Sequence, residues 1–187
     1  MKKWKLLKSK TVIKNPWTEI RKNVYKLPNG KMIDDFYYLI RPDFATIIAV
    51  DEKENVILEK QYRAGVDKIV YGLIDGCIEK NETPQQTALR EVKEETGYVG
   101  KNAKLLGVFD VRQDISPLKA YTVVVEIGKE KTKQKLDITE EIEVIKVPLK
   151  KVYQMIEKGQ ITDISSVVAM SLYKSIFDKP QTQISRL

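Results

Sequence analysis

Glu91, Glu94 and Glu95 stand at i, i+3 and i+4, a spacing that sets three carboxylates on one face of a helix. Like charges placed this way destabilise an isolated helix, so a positive partner is expected. A hard divalent cation, Mg²⁺ or Mn²⁺, suits carboxylate oxygens. Arg90 and Lys93 could neutralise part of the charge, although neither repeats the acidic spacing. Taken alone, the triplet also fits an ordinary solvated acidic face.

The helix that must carry these acids is well marked. Thr83 suits the N-cap, Pro84 the first helical position and Gly97 the stop. Ala88, Leu89 and Val92 offer apolar contact to a sheet. Strands are expected at Ala45–Val50, Val56–Gln61, Ile69–Ile74, Leu105–Phe109, Tyr121–Ile127 and Ile142–Val147. Two more helices are expected, Leu149–Lys158 before Gly159 and a last one capped by Asp163. Interspersed strands and helices with short turns predict an α/β/α sandwich with a mixed sheet. Pro28-Asn29-Gly30 between Asn23–Leu27 and Met32–Ile40 predicts a hairpin. Residues 1–42 are therefore expected to form a small antiparallel β appendage, 43–178 the main domain, and 179–187 a tail.

Composition removes several alternatives. The single cysteine, Cys77, excludes a disulfide framework within the 187-residue chain. With no histidine, the usual zinc sites and histidine triads are excluded as well. Hydrophobic content of 42% and charged content of 32% describe a soluble globular protein. The net charge of +7 permits an anionic partner. The lysine runs Lys2–Lys10 and Lys129–Lys135 are expected to be solvated tails or loops. No apolar run reaches the roughly 18 residues of a membrane span, and no apolar segment follows the basic N-terminus. A cytoplasmic protein with no membrane partner is expected.

Written as a pattern, residues 76–98 read G-x5-E-x7-R-E-V-x-E-E-x-G-Y. This resembles the Nudix box at every fixed position: Gly76, Glu82, Arg90, Glu91, Val92, Glu94, Glu95, Gly97 and Tyr98. The resemblance implies a hydrolase that cleaves a nucleoside diphosphate linked to another group. By position, Glu91, Glu94 and Glu95 would bind Mg²⁺ or Mn²⁺. Glu82 and Arg90 would tie the loop to the helix, and Gly76 and Gly97 would serve the backbone. Metals would shield the diphosphate and lower the pKa of a bound water, and a carboxylate would accept its proton.

Residues outside the box resemble the ADP-ribose pyrophosphatase branch. Lys60-Gln61-Tyr62-Arg63 precedes the box, Glu140-Glu141-Ile142-Glu143-Val144 follows it, and Trp17, Tyr25 and Pro28-Asn29-Gly30-Lys31 mark the N-terminal piece. This likeness implies a homodimer that exchanges N-terminal sheets. Trp17 and Phe36 or Tyr37 would stack on the base, and Arg63 would contact phosphate or ribose. Glu140 or Glu141 would be the general base, with Glu95 as the alternative. Gly72-Leu73-Ile74-Asp75-Gly76 stands where the branch carries Glu-Leu-Pro-Ala-Gly. Asp75 keeps the backbone carbonyl that meets a metal there and adds a carboxylate. The branch's later Ser-Pro-Gly is absent, and Arg112 in its place could read a different anionic group. The expected substrate is a nucleoside diphosphate sugar, either ADP-ribose-like or GDP-mannose-like.

Two alternatives are set beside this reading. The basic balance would suit hydrolysis of an RNA 5′ end or cap, although a dimer-forming N-terminal piece argues against it. A non-catalytic nucleotide sensor on the same fold would need an output element, and no segment is long enough to supply one. The basic residues show no regular interleaving with aromatics, so no nucleic-acid partner is expected.

Overall fold

The computed structural model describes residues 1–177. The expected tail at 179–187 lies outside the described residues, as does residue 178. The chain divides into two compact units, Met1–Asp43 with Phe109–Ala120, and Phe44–Val108 with Tyr121 onward.

The first unit is built on a three-stranded antiparallel sheet in the order β1 (Lys5–Lys14), β2 (Glu19–Lys26), β3 (Met32–Ile40). Asn15 closes the first turn, where its Oδ1 accepts from the backbone N–H of Trp17 and Thr18 at 2.9 and 2.8 Å. The second turn needs Gly30 in the left-handed region at φ 84°, and there Leu27 N–H donates to Lys31 O. Trp4, Tyr25 and Phe36 meet edge to face at centroid distances of 5.2 to 6.1 Å. Of the lysines expected in tails or loops, Lys5, Lys8 and Lys10 are instead in β1 and Lys129 and Lys131 are in β9 (Lys119–Lys131), while Lys2, Lys3, Lys133 and Lys135 lie outside strands as expected. All ten β1 residues remain exposed while their backbone pairs with β2. Charged side chains stay solvated as expected; only the backbone changes partner.

The second unit holds a seven-stranded mixed sheet. Its main order is β10 (Ile142–Pro148), β5 (Asn55–Arg63), β4 (Phe44–Asp51), β9 (Lys119–Lys131), β8 (Tyr98–Asp110). The single strand expected at Ile69–Ile74 is two strands. β6 (Lys68–Gly72) pairs with β5, and β7 (Ile74–Cys77) pairs with β4. β8 and β9 run well beyond the short strands expected there.

Both sheet faces are apolar, and strand alternation explains why. Ala45, Ile47, Ala49 and Ile57 pack with Ala88 and Val92 of helix α1 (Pro84–Thr96). Ile48, Val56 and Leu58 pack with Val152 and Met155 of α2 (Leu149–Glu157) and with Ala169 and Met170 of α3 (Ile164–Phe177). Each fully buried aliphatic side chain contributes about 1.5–3 kcal/mol. These two cores fix α1 against one face of the sheet, which is the layered arrangement expected. Among the described residues no helix is long and apolar enough to cross a membrane.

Candidate active site

α1 is held at both ends. Thr83 and Gln86 form a capping box, Pro84 opens the helix, and Gly97 ends it at φ 74°. Gly97 O accepts from Thr132 N–H at 2.7 Å, and a Cβ on Gly97 would collide with Thr132 O. Ala88, Val92 and Glu95 are all buried on this helix. Their i, i+4 and i+7 spacing makes them one stripe, so the packing that anchors α1 also buries the Glu95 carboxyl.

Arg90 gathers the loop before the helix. Its Nε and Nη2 donate to the two Glu82 carboxylate oxygens at 2.9 and 3.1 Å. Its Nη1 reaches Glu91 at 2.7 Å and Glu94 at 3.2 Å, and Nη2 also reaches Cys77 O at 3.2 Å. A planar fork can serve these acceptors together where a point charge cannot. The Arg90 bond holds Glu82 below the usual carboxylate range. Glu94 is shared with Lys135, 3.7 Å away. Gly76 on β7 lies against Glu91, where a Cβ would overlap the Glu91 carboxyl.

The remaining acids act on one another electrostatically. Burial first, and then the charges of Glu94 and Glu140, push Glu91 up to about 7 against the opposing pull of Arg90. Asp75 is held above the ordinary aspartate range by the protein packed around it, and Asp163 and Glu140 add to this. Its side chain nevertheless keeps 40% of its surface open, and Arg63 Nη2 pairs with it at 3.1 Å. Glu95 is raised by burial and then by Glu59. Glu59, on β5, is raised chiefly by burial, against the opposing pull of a hydrogen bond from Glu95 and with the charges of Asp75 and Glu140 adding to the rise. Glu140 is half-buried and fixed by Asp137, whose backbone N–H donates to its Oε2 at 2.8 Å. Glu141 is exposed.

The structure therefore brings Arg63, Asp75, Glu91, Glu95 and Glu140 within electrostatic reach of one another. Glu94 joins them through Arg90. Glu59 is the acid that the sequence reading did not single out. Its signal is a charged residue ending the apolar run Val56-Ile57-Leu58. Glu59 Oε1 and Glu95 Oε2 are buried with no hydrogen-bond donor. The donor set is all oxygen, and repelling buried acids with open lone pairs suit a hard divalent cation. Among the described residues no group of three or more acidic or cysteine side chains is already placed to hold a metal ion.

The other predicted contacts belong to the first unit. Trp17 and Tyr37 are exposed, at 63% and 53%. Phe36 packs on Trp4 and Tyr25. Arg112 donates to Asp114 through Nε and Nη2 at 3.0 and 2.9 Å.

Comparison with known proteins gives two family matches. A model described as NUDIX domain matches residues 40–166, and one described as nucleoside diphosphate sugar hydrolase N-terminal domain matches residues 4–39. An ADP-ribose pyrophosphatase of Bacillus subtilis (strain 168) is 28% identical over 146 residues, covering 78% of each chain. An ADP-sugar pyrophosphatase of Mus musculus is 31% identical over 147 residues, covering 71% of this chain and 67% of that one. A crystal structure of an ADP compounds hydrolase superposes with a TM-score of 0.81 at 20% identity, covering 94% of both chains, which is a likeness of fold.

Proposed function

The chain belongs to the NUDIX domain family, and from that premise we propose that it hydrolyses the diphosphate linkage of a nucleoside diphosphate sugar. The products are a nucleoside monophosphate and a sugar phosphate. The observation that carries this reading is the geometry of the box: Arg90 binds Glu82, Glu91 and Glu94, Glu95 keeps a buried carboxylate oxygen without a partner, and Arg63 pairs with Asp75. The relatives named for ADP-ribose and ADP-sugars support the substrate class.

Glu91, Glu94, Glu95 and Asp75 would hold Mg²⁺ or Mn²⁺. The bound cation shields the diphosphate charge and makes a water more acidic. Arg90 keeps Glu91 and Glu94 at fixed positions and leaves Glu82 as the strut of the loop. Arg63 is half-exposed and offers guanidinium N–H groups to phosphate oxygens. Glu140 is the better base of its pair, because its charge acts on Glu59, Asp75 and Glu91 while Glu141 faces solvent. Water loses its proton to Glu140, its oxygen bonds to one phosphorus, and the bridging oxygen leaves with the other phosphate. Trp17 and Phe36 or Tyr37 are assigned to the base, and Arg112 to an anionic part of the second group. The exposed apolar side chains Leu6, Leu7, Val12 and Ile13 of β1 suit a homodimer.

The test is a panel of nucleotide sugars, dinucleotides and capped RNA with Mg²⁺ or Mn²⁺, with products resolved by phosphorus NMR. Turnover of nucleotide sugars that depends on a divalent cation is expected. Glu95→Gln should lower it on the order of 100-fold. Wild-type turnover by that variant, or cleavage of capped RNA alone, refutes the assignment.

A further inference from the structure

Glu59 has no part in the mechanism above. It ends an apolar strand segment and is 1% exposed, deeper than any acid of the helix. Its Oε2 accepts from Gln61 Nε2 at 3.1 Å. Its Oε1 meets no donor among the described residues, and the same holds for Oε2 of Glu95, which is 5% exposed. The two carboxyls, one from β5 and one from α1, share a side-chain hydrogen bond that favours ionised Glu59 and protonated Glu95. No ion pair among the described residues reaches either of them, and Arg63 is paired with Asp75 instead.

A buried polar atom left without a partner costs about 1–3 kcal/mol, and more when it is charged. Packing alone does not call for an acid here, because leucine or glutamine would fill the same space without repelling Glu95. Each of these two neighbouring carboxyls, on separate elements, keeps one buried oxygen without a partner, and open carboxylate oxygens are what a hard divalent cation takes up. Glu95 already stands among the acids assigned to the cation. We infer that Glu59 is a further ligand of the divalent cation, held jointly with Glu95. This inference rests on the hydrolase reading above. It assigns a role to a strand residue outside the 76–98 pattern.

The probe is Mn²⁺ added to the full chain without substrate, read by its electron paramagnetic resonance signal and by thermal unfolding. The wild type should bind Mn²⁺ and melt higher with it. Glu59→Gln should bind at least roughly 10-fold more weakly, since even loss of an outer partner costs about 10–100-fold, and Glu95→Gln should do the same. Glu59→Leu is the second variant. It should fold, keep or raise the melting temperature in EDTA, and lose most of the shift that Mn²⁺ produces. If either foldable variant at 59 binds like wild type while Glu95→Gln does not, the inference is overturned and the hydrolase reading stands. If the wild type itself takes up no Mn²⁺, both are overturned.

Discussion

Gly76 and Glu91 occupy the same small space. A Cβ on residue 76 would overlap Cγ, Cδ and Oε1 of Glu91. The overlap is with the end of a flexible side chain, and the Gly76 backbone is not in the left-handed region. Gly76→Ala should therefore leave the fold nearly intact, within about 1 kcal/mol, and turn the Glu91 carboxyl away. Turnover and Mn²⁺ affinity should both fall, by an order of magnitude or more. A variant as active as wild type would show that Glu91's position is immaterial.

Arg90 offers a different test, because geometry matters there more than charge. Its fork binds Glu82 through two nitrogens while also reaching Glu91, Glu94 and Cys77 O. Arg90→Lys retains the charge and loses most of those bonds. With both Arg90 and Glu82 largely covered, a loss of about 1–3 kcal/mol is expected in urea unfolding. An unchanged midpoint would mean that the box loop does not need the fork.

The legible parts of this molecule are those with local causes. Thr83, Pro84 and Gly97 mark α1 within 15 residues of chain, and the helix runs between them. The acids at 91, 94 and 95 share a face for the same local reason. What stayed hidden depends on distant partners. Glu59 meets Glu95 across the fold, and a strand pattern shows only that an acid ends an apolar run. β1 looked like a charged tail because its pairing with β2 leaves every side chain exposed. Glu140 and Glu141 are adjacent and identical in type. Only the Asp137 contact and the direction of the loop separate them.

The wholly exposed β1 leads to an association prediction. Leu6, Leu7, Val12 and Ile13 all lie open on an edge strand, and an exposed apolar edge readily pairs with another chain. Light scattering should report about twice the 21.6 kDa of one chain. Replacing Leu6 and Val12 with lysine should shift the protein toward monomer. A monomeric wild type at tens of micromolar would refute the homodimer.

Asp51 should impose an acid limit on stability far from the candidate site. Burial alone would raise its carboxyl, but bonds from Asn55, Lys146 and Lys53 outweigh this and hold it well below the usual range. A depressed acid stabilises the fold at pH above its unfolded value, about 3.9, and that stability disappears as pH falls toward the folded value. Asp51→Asn should thus be less stable than wild type at pH 7. The difference should shrink steadily below about pH 4. A gap that is constant from pH 7 to pH 3 would rule out the ionised carboxylate as its source.

Glu95 should behave in the opposite way when divalent cations are removed. Burial, and then Glu59, raise it far above the unfolded value, so the native state binds protons more tightly than the unfolded chain does. Its ionised form then opposes folding, and in EDTA stability should rise as pH falls from 9 toward 5. Glu95→Gln removes the ionisable carboxyl. In EDTA at pH 8 it should melt higher than wild type, while with Mn²⁺ the order should reverse or close, because only the wild type gains from the cation. Differential scanning calorimetry in both conditions is the measurement. A variant that melts lower than wild type in EDTA would mean that Glu95 is held by favourable contacts in the folded chain, and the account of these acids as a strained cation site would fail.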